Sequence, residues 1–179
     1  MTEIGKAYGG ALFQLAREEG LDETIGAQLT TLCGALREDP DYVRLMAAPT
    51  LKKSKRLEIL QETFEGKVHE YILNFMSILV ENGTFEELFS CNEEYRKLYN
   101  KAHNIVTVTA YTVIEMDDAL AAKLREKLEK TLGKTVELEC KLDRSMIGGV
   151  RLEMDGERLD GSVKSRLEGI RTALFGAKA

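Results

Sequence analysis

The sequence predicts a mainly α protein in two parts, an N-terminal six-helix antiparallel bundle over residues 1–104 followed by a small α+β domain over residues 105–179. Three observations predict it. Apolar residues recur at helical spacing from Ile4 to about His103, punctuated by Gly, Pro and Asn at short intervals. From Ile105 the pattern turns β-branched and alternating. Charge divides at the same place: residues 1–104 hold 12 Lys and Arg against 17 Asp and Glu, and residues 105–179 hold 13 of each, so the net charge of −5 belongs to the first part. A chain of 179 residues with 44% hydrophobic content is long and apolar enough for one packed domain or two small ones.

The first helix carries Ile4, Ala7, Tyr8, Ala11, Leu12 and Leu15 as its apolar stripe, with Phe13 to one side. Gly20 ends it, and Asp22 stands where it can cap a second helix through Ile25, Leu29, Leu32 and Leu36. Pro40 opens a short third helix ending near Met46. Pro49 and Thr50 precede a fourth with Leu57, Leu60 and Phe64, and Gly66 separates it from a fifth over 67–81. Asn82-Gly83 breaks the chain before a sixth, roughly Thr84 to His103, bearing Leu88, Cys91, Tyr95, Leu98 and Tyr99.

Beyond Asn104, Ile105 to Val113 reads as a strand, Asp117 starts a helix through Leu120, Leu124, Leu128 and Leu132, and Val136 to Leu142 reads as a second strand. Gly148-Gly149 suggests a bulge or a close backbone approach within a strand. Val150, Leu152 and Met154 alternate with Arg151, Glu153 and Asp155, and Asp155-Gly156 suits a tight hairpin turn into a return strand from Glu157 to Leu159. Asp160 stands at the N-cap of a last amphipathic helix with Val163, Leu167, Ile170 and Leu174 on one face and Lys164, Arg166 and Arg171 on the other. The expected order is β, α, β, β, β, α, in a unit small enough that a single core is only marginally stabilising.

No catalytic, cofactor or metal constellation stands out. Gly133-Lys134-Thr135 imitates the end of a phosphate-binding loop, but such a loop needs glycine five positions earlier, where Leu128 stands, and a strand before rather than a helix. His69 and His103 lie on a helix flank and at a helix end, and the acidic pairs Glu86-Glu87, Glu93-Glu94 and Asp117-Asp118 fall at helix starts or exposed flanks. Cys33, Cys91 and Cys140 are far apart, odd in number and outside any C-x-x-C pattern, so each is expected as a small buried side chain in a reducing compartment. The run Lys52-Lys53-Ser54-Lys55-Arg56 is expected to be a solvated helix start, and the acidic balance of the first part argues against nucleic acid. The N-terminus shows neither a secretion signal nor a transit peptide, and the longest apolar run, Tyr71 to Val80, is about half of what a membrane span needs.

The informative feature is surplus apolar surface. At about 100 degrees per residue the apolar positions of the fifth helix cover roughly 200 degrees, more than a surface helix needs. Only Glu70, Asn74, Ser77 and Glu81 are expected to face water. Gly5, Gly9 and Gly10 leave the first helix open to close approach by another helix. Either the fifth helix is the buried centre of the bundle, or the two helices offer a groove to a partner.

The run Met146 to Leu174, a hairpin entering a capped helix, resembles the C-terminal signature of the delta subunit family of bacterial F-type ATP synthases, relatives of the mitochondrial oligomycin-sensitivity-conferring protein. Ala7 to Ala16 is similar to that family's first helix, Asn74 to Gly83 to its fifth, and Val136 to Asp143 to the strand before the signature. The resemblance spans about residues 4 to 175. It implies a non-catalytic stator subunit, one copy per complex and a monomer in isolation, at the cytoplasmic face of the bacterial cell membrane and attached to it only through the complex. It implies that residues 1–104 receive the N-terminal helices of alpha subunits of the catalytic head. It implies that residues 105–179 engage the b subunits of the peripheral stalk, coupling proton transport to ATP synthesis. The alpha contact then falls on Tyr8, Ala11, Leu12 and Leu15 with Phe75, Ile78 and Leu79. A helical adaptor of another assembly, or a small enzyme or nucleotide-binding protein, are the rival classes.

Overall fold

The computed structural model describes residues 2–154 and 157–160. The chain divides into two compact units, residues 1–102 and 103–179. The protein is mainly helical with one small sheet.

In the first unit, α1 (Glu3–Glu18) starts at Thr2, whose Oγ1 accepts the Gly5 amide at 3.0 Å. α2 (Asp22–Glu38) has Leu21 at its N-cap with no side-chain bond, so Asp22 is the first helical residue rather than the expected cap; its carboxylate still opposes the positive end of the helix. α3 (Pro40–Ala47) has Pro40 in its first turn and Asp39 accepting the Tyr42 amide at 3.2 Å. α4 (Lys53–Phe64) and α5 (Glu70–Asn82) follow, then a 3₁₀ turn (Phe85–Glu87) and α6 (Leu88–Ala102). The fifth helix begins three residues later than the sequence suggests because His69 caps it: Nδ1 accepts the Tyr71 amide at 3.2 Å. Gly83, at φ 68°, closes its other end.

The core of this unit is one connected cluster running from Leu12, Phe13 and Ala16 through Ile25, Leu29 and Met46 to Met76, Leu79 and Tyr95. α1 packs along α6, α2 packs on both α1 and α6, and α4 packs on α5. The α1–α6 seam is the closest. A Cβ on Gly9 would stand 2.4 Å from the Cys91 carbonyl oxygen and one on Gly5 2.5 Å from Ser90 Cβ. The glycines therefore serve an internal helix, α6, and not an incoming one. This rotates α1 away from expectation: Gly5, Gly9, Leu12, Phe13 and Ala16 face inward, while Ile4, Ala7, Ala11 and Leu15 face out. Glycine carries no hydrophobic weight, so an apolar-periodicity argument cannot see a seam built on it.

Arg56 corrects the reading of the basic run. Lys52, Lys53 and Lys55 are exposed, but Arg56 is buried and donates Nη1 to the Met46 carbonyl at 2.6 Å, satisfying an orphan acceptor at the end of α3. Among the cysteines, Cys33 and Cys91 are buried as expected and Cys140 is exposed. Desolvation pushes the Cys33 thiol up to about 12 and the Cys91 thiol up to about 11.

The second unit holds β1 (Ile105–Thr112), α7 (Asp118–Leu132), β2 (Thr135–Leu142), β3 (Val150–Met154) and β4 (Glu157–Asp160). The sheet order is β2-β1-β3-β4. β1 and β2 run parallel in the register Val106 to Val136, as the intervening helix allows; β3 and β4 add antiparallel. Val106, Val108 and Val136 form the buried core, with Leu128 and Leu132 of α7 laid over them. Gly133, left-handed at φ 63°, ends α7 and turns the chain into β2, which accounts for the Gly-Lys-Thr sequence without a phosphate. Gly148-Gly149 lie in the connection before β3 and not inside a strand; Gly149 has φ 87°. The proposed Asp155-Gly156 turn, the side chain of Asp160 and the final helix lie outside the described residues.

Candidate functional site

The residues singled out on α1 and α5 separate into two sets. Leu12 (4% exposed), Phe75 (6%) and Leu79 (0%) belong to the core and hold the two helices in place. Ala11 and Leu15 (41%) face out from α1, Ile78 (43%) faces out from α5, and Tyr8 is half-buried between them. Ile4 (39%) and Ala7, members of the same α1 stripe that the contact assignment left out, are exposed as well. Their spacing, 4, 7, 8, 11 and 15, is itself the signal of a helical stripe, here turned to solvent. On α5 the water-facing set differs from expectation at two positions, since Ile78 joins Glu70, Asn74 and Glu81, while Ser77 is half-buried and donates its hydroxyl to the Leu73 carbonyl at 2.9 Å.

One hydrogen bond relates the two outward faces. Asn82 Nδ2, at the end of α5, donates to the Tyr8 hydroxyl at 3.1 Å. Ile78 lies one turn before Asn82 on the same side of α5. The N-terminus of α1 is tied separately, through Thr2 Oγ1 donating to the Glu87 carboxylate. The result is an exposed apolar strip on two helices anchored by core residues directly beneath it. Such a strip can bury an apolar face of another helix; it holds no nucleophile, base or acid in its outward set.

Elsewhere the described residues offer little chemistry. No group of three or more His, Cys, Asp or Glu that could hold a metal ion occurs among them. Asp143 has its carboxyl held below the usual range, first by the hydrogen bonds from the Ser145 side chain and amide and then by Arg151, whose Nη1 sits 2.9 Å away. Arg151 also stacks over the Tyr111 ring at 4.2 Å. These contacts fix the β2–β3 connection against the sheet.

A helical unit joined to a small α+β unit, without a catalytic constellation among the described residues, is the class this fold defines. The family model for the ATP synthase delta (OSCP) subunit matches residues 4–174. The ATP synthase subunit delta of Lactobacillus delbrueckii subsp. bulgaricus is 35% identical over 176 residues, covering 96% of this chain and 96% of that one. That of Clostridium kluyveri is 31% identical over 172 residues, covering 96% and 95%. A chain in the cryo-EM structure of the Toxoplasma gondii mitochondrial ATP synthase hexamer superposes with a TM-score of 0.75 over 97% of this chain and 98% of that one, at 19% identity, a likeness of fold. The chain belongs to the ATP synthase delta (OSCP) subunit family.

It is accordingly a structural stator subunit of ATP synthase and not a catalytic one. No helix among the described residues is long and apolar enough to cross a membrane, in agreement with peripheral association to the complex.

Proposed function

We propose that residues 1–104 act as one antiparallel six-helix bundle that receives the N-terminal helices of alpha subunits on the α1–α5 strip, while residues 105–179 engage the b subunits of the peripheral stalk. One copy then links the catalytic head to the stalk at the cytoplasmic face of the bacterial cell membrane, and by resisting rotor torque keeps proton transport coupled to ATP synthesis. The observation that carries this reading is the outward stripe of Ile4, Ala7, Tyr8, Ala11 and Leu15 on α1 together with exposed Ile78 on α5, two helices tied by the Asn82–Tyr8 hydrogen bond, with core residues beneath them. Torque transmission needs such a surface. Exposed ion pairs contribute only about 0–1 kcal/mol each and weaken with salt, whereas desolvated apolar anchors hold a helix in one register. Of the seven residues first assigned to the contact, Tyr8, Ala11, Leu15 and Ile78 touch the alpha helix directly, and Leu12, Phe75 and Leu79 position them.

In the second unit, Ile114, Leu120, Leu142 and Ile147 are exposed large apolar side chains, which supports a stalk contact there. The test is a titration of the full chain with a synthetic peptide of the alpha N-terminus, followed by amide shifts. The expected result is a helical bound peptide and shifts at Ala11, Leu15 and Ile78, abolished by Ala11→Asp with the fold unchanged by circular dichroism. Unchanged affinity in folded Ala11→Asp overturns the assignment.

A further inference from the structure

The helical unit has a second concave surface that the strip does not use. The C-terminal end of α2, α3, the 3₁₀ turn and the start of α6 enclose a cleft of about 390 Å³. Its floor is apolar: Leu36 and Val43 are buried and Phe89 is half-buried. Its rim is charged and exposed, with Arg37 of α2, Arg44 of α3 and Glu86 of the 3₁₀ turn. The Arg37 guanidinium stands 5.5 Å from the Phe89 ring centroid, a cation–π contact that holds it over the floor and leaves its donors for another group. Arg44 pairs with Asp41 of its own helix at 3.0 Å, but both side chains are largely exposed, so that pair competes weakly with a better acceptor. Two planar donor forks thus line the rim of an apolar floor, in a part of the chain whose overall balance is acidic.

We infer that this cleft docks a peptide segment of a partner protein bearing a large apolar side chain flanked by carboxylates. The apolar side chain fills the floor against Val43 and Phe89, and the carboxylates take bidentate bonds from Arg37 and Arg44. Glu86 repels a further acid on its part of the rim and so sets the direction of the segment. The volume suits one or two side chains, which selects a short extended or single-turn segment over a whole helix face. The site is separate from the α1–α5 strip: on α6, Ser90 and Cys91 meet α1, while Phe89, about 100 degrees round the helix from Ser90, lines the cleft.

The experiment is an amide-shift titration of the full chain with a capped tetrapeptide of glutamate, leucine, phenylalanine and aspartate, in parallel with its glutamine and asparagine counterpart. Saturable shifts at Val43, Arg37 and Phe89 are expected with the acidic peptide, at least about tenfold weaker with the amide peptide and in Arg37→Gln, and stronger in Glu86→Gln. Arg37 and Glu86 are exposed, so both variants keep the fold. Absent shifts, equal shifts with the two peptides, or shifts at Ala11 and Ile78 in place of the cleft each overturn the proposal. The alpha-peptide titration reads a different set of amides, so either result stands without the other.

Discussion

The helical unit buries twenty side chains in one connected apolar cluster, whereas the connected cluster among the described residues of the α+β unit holds three, Val106, Val108 and Val136, with α7 contributing none. Surplus apolar surface has a different meaning in each. In the first unit it is a narrow strip over a finished core, so it can be altered without loss of fold. In the second, exposed Ile114, Leu120, Leu142 and Ile147 accompany a thin core among the described residues, so a change at the surface there is expected to weigh on stability as well. Exposure alone therefore does not mark a site; the core beneath it decides whether a surface change can be read apart from folding.

The largest effect that tests this contrast is in thiol chemistry. Cys140 is exposed in the second unit, while Cys33 and Cys91 are sealed in the first. A thiol-specific reagent near pH 8 should label Cys140 at once and the other two slower by at least about a hundredfold, because burial holds them protonated and out of reach. Rapid labelling of all three would show that the first core is not closed. The same burial has a pH signature. The folded values of Cys33 and Cys91 lie above the ordinary 9.0, so the folded state holds their protons more tightly than the unfolded chain; the stabilisation is whole below pH 9 and lost as pH rises toward 11 to 12. Cys33→Ala should flatten that alkaline limb in a denaturation series.

Two neighbouring residues give the next test. Leu79→Ala removes a side chain that is 0% exposed and should cost about 3 kcal/mol in urea unfolding. Ile78→Ala removes one that is 43% exposed and should cost less than about 0.5 kcal/mol while weakening the alpha peptide. Equal costs would erase the distinction between strip and core.

A third test probes the seam that makes the strip face outward. Gly9→Ala places a Cβ 2.4 Å from backbone and should cost about 2 kcal/mol despite better helix propensity. Gly10→Ala meets only the far end of Leu98, at 3.8 Å, and should stabilise by up to about 1 kcal/mol. Thermal melts of the two variants should therefore move in opposite directions.

This seam is also where the sequence was least legible. Period and punctuation placed every described helix and strand to within a few residues, because Gly, Pro and Asn mark real chain reversals here, Gly83 and Gly133 among them. Which side of α1 faces inward was not legible, since that depends on Gly5 and Gly9 meeting a helix some eighty residues later. Arg56 escaped notice for a related reason: its partner is the backbone carbonyl of Met46, and no side-chain pattern announces a carbonyl. His69 as a cap and Ile78 as a solvent-facing apolar residue likewise follow from tertiary placement rather than from residue type. Of the seven residues assigned to the contact, Tyr8, Ala11, Leu15 and Ile78 reach the surface, whereas Leu12, Phe75 and Leu79 lie in the core, a division that apolar periodicity alone does not make.

The smallest effect sharpens the comparison from the side of the second unit. Asp117 caps α7, accepting the Leu120 amide at 2.6 Å, and the helix it starts leans on the sheet mainly through half-buried Leu128 and Leu132 near its other end. Asp117→Ala should cost about 1 kcal/mol, which by local opening corresponds to roughly fivefold faster amide exchange in the first turns of α7. His69→Ala removes the cap of α5, a helix pinned by Ile72, Phe75, Met76, Leu79 and Val80, so there the loss should appear only in the first turn and leave exchange at Met76 to Val80 unchanged. Exchange that spreads along α5 as far as along α7 would mean that the two helices are held alike, and the difference drawn between a closed core and a thin one would fall.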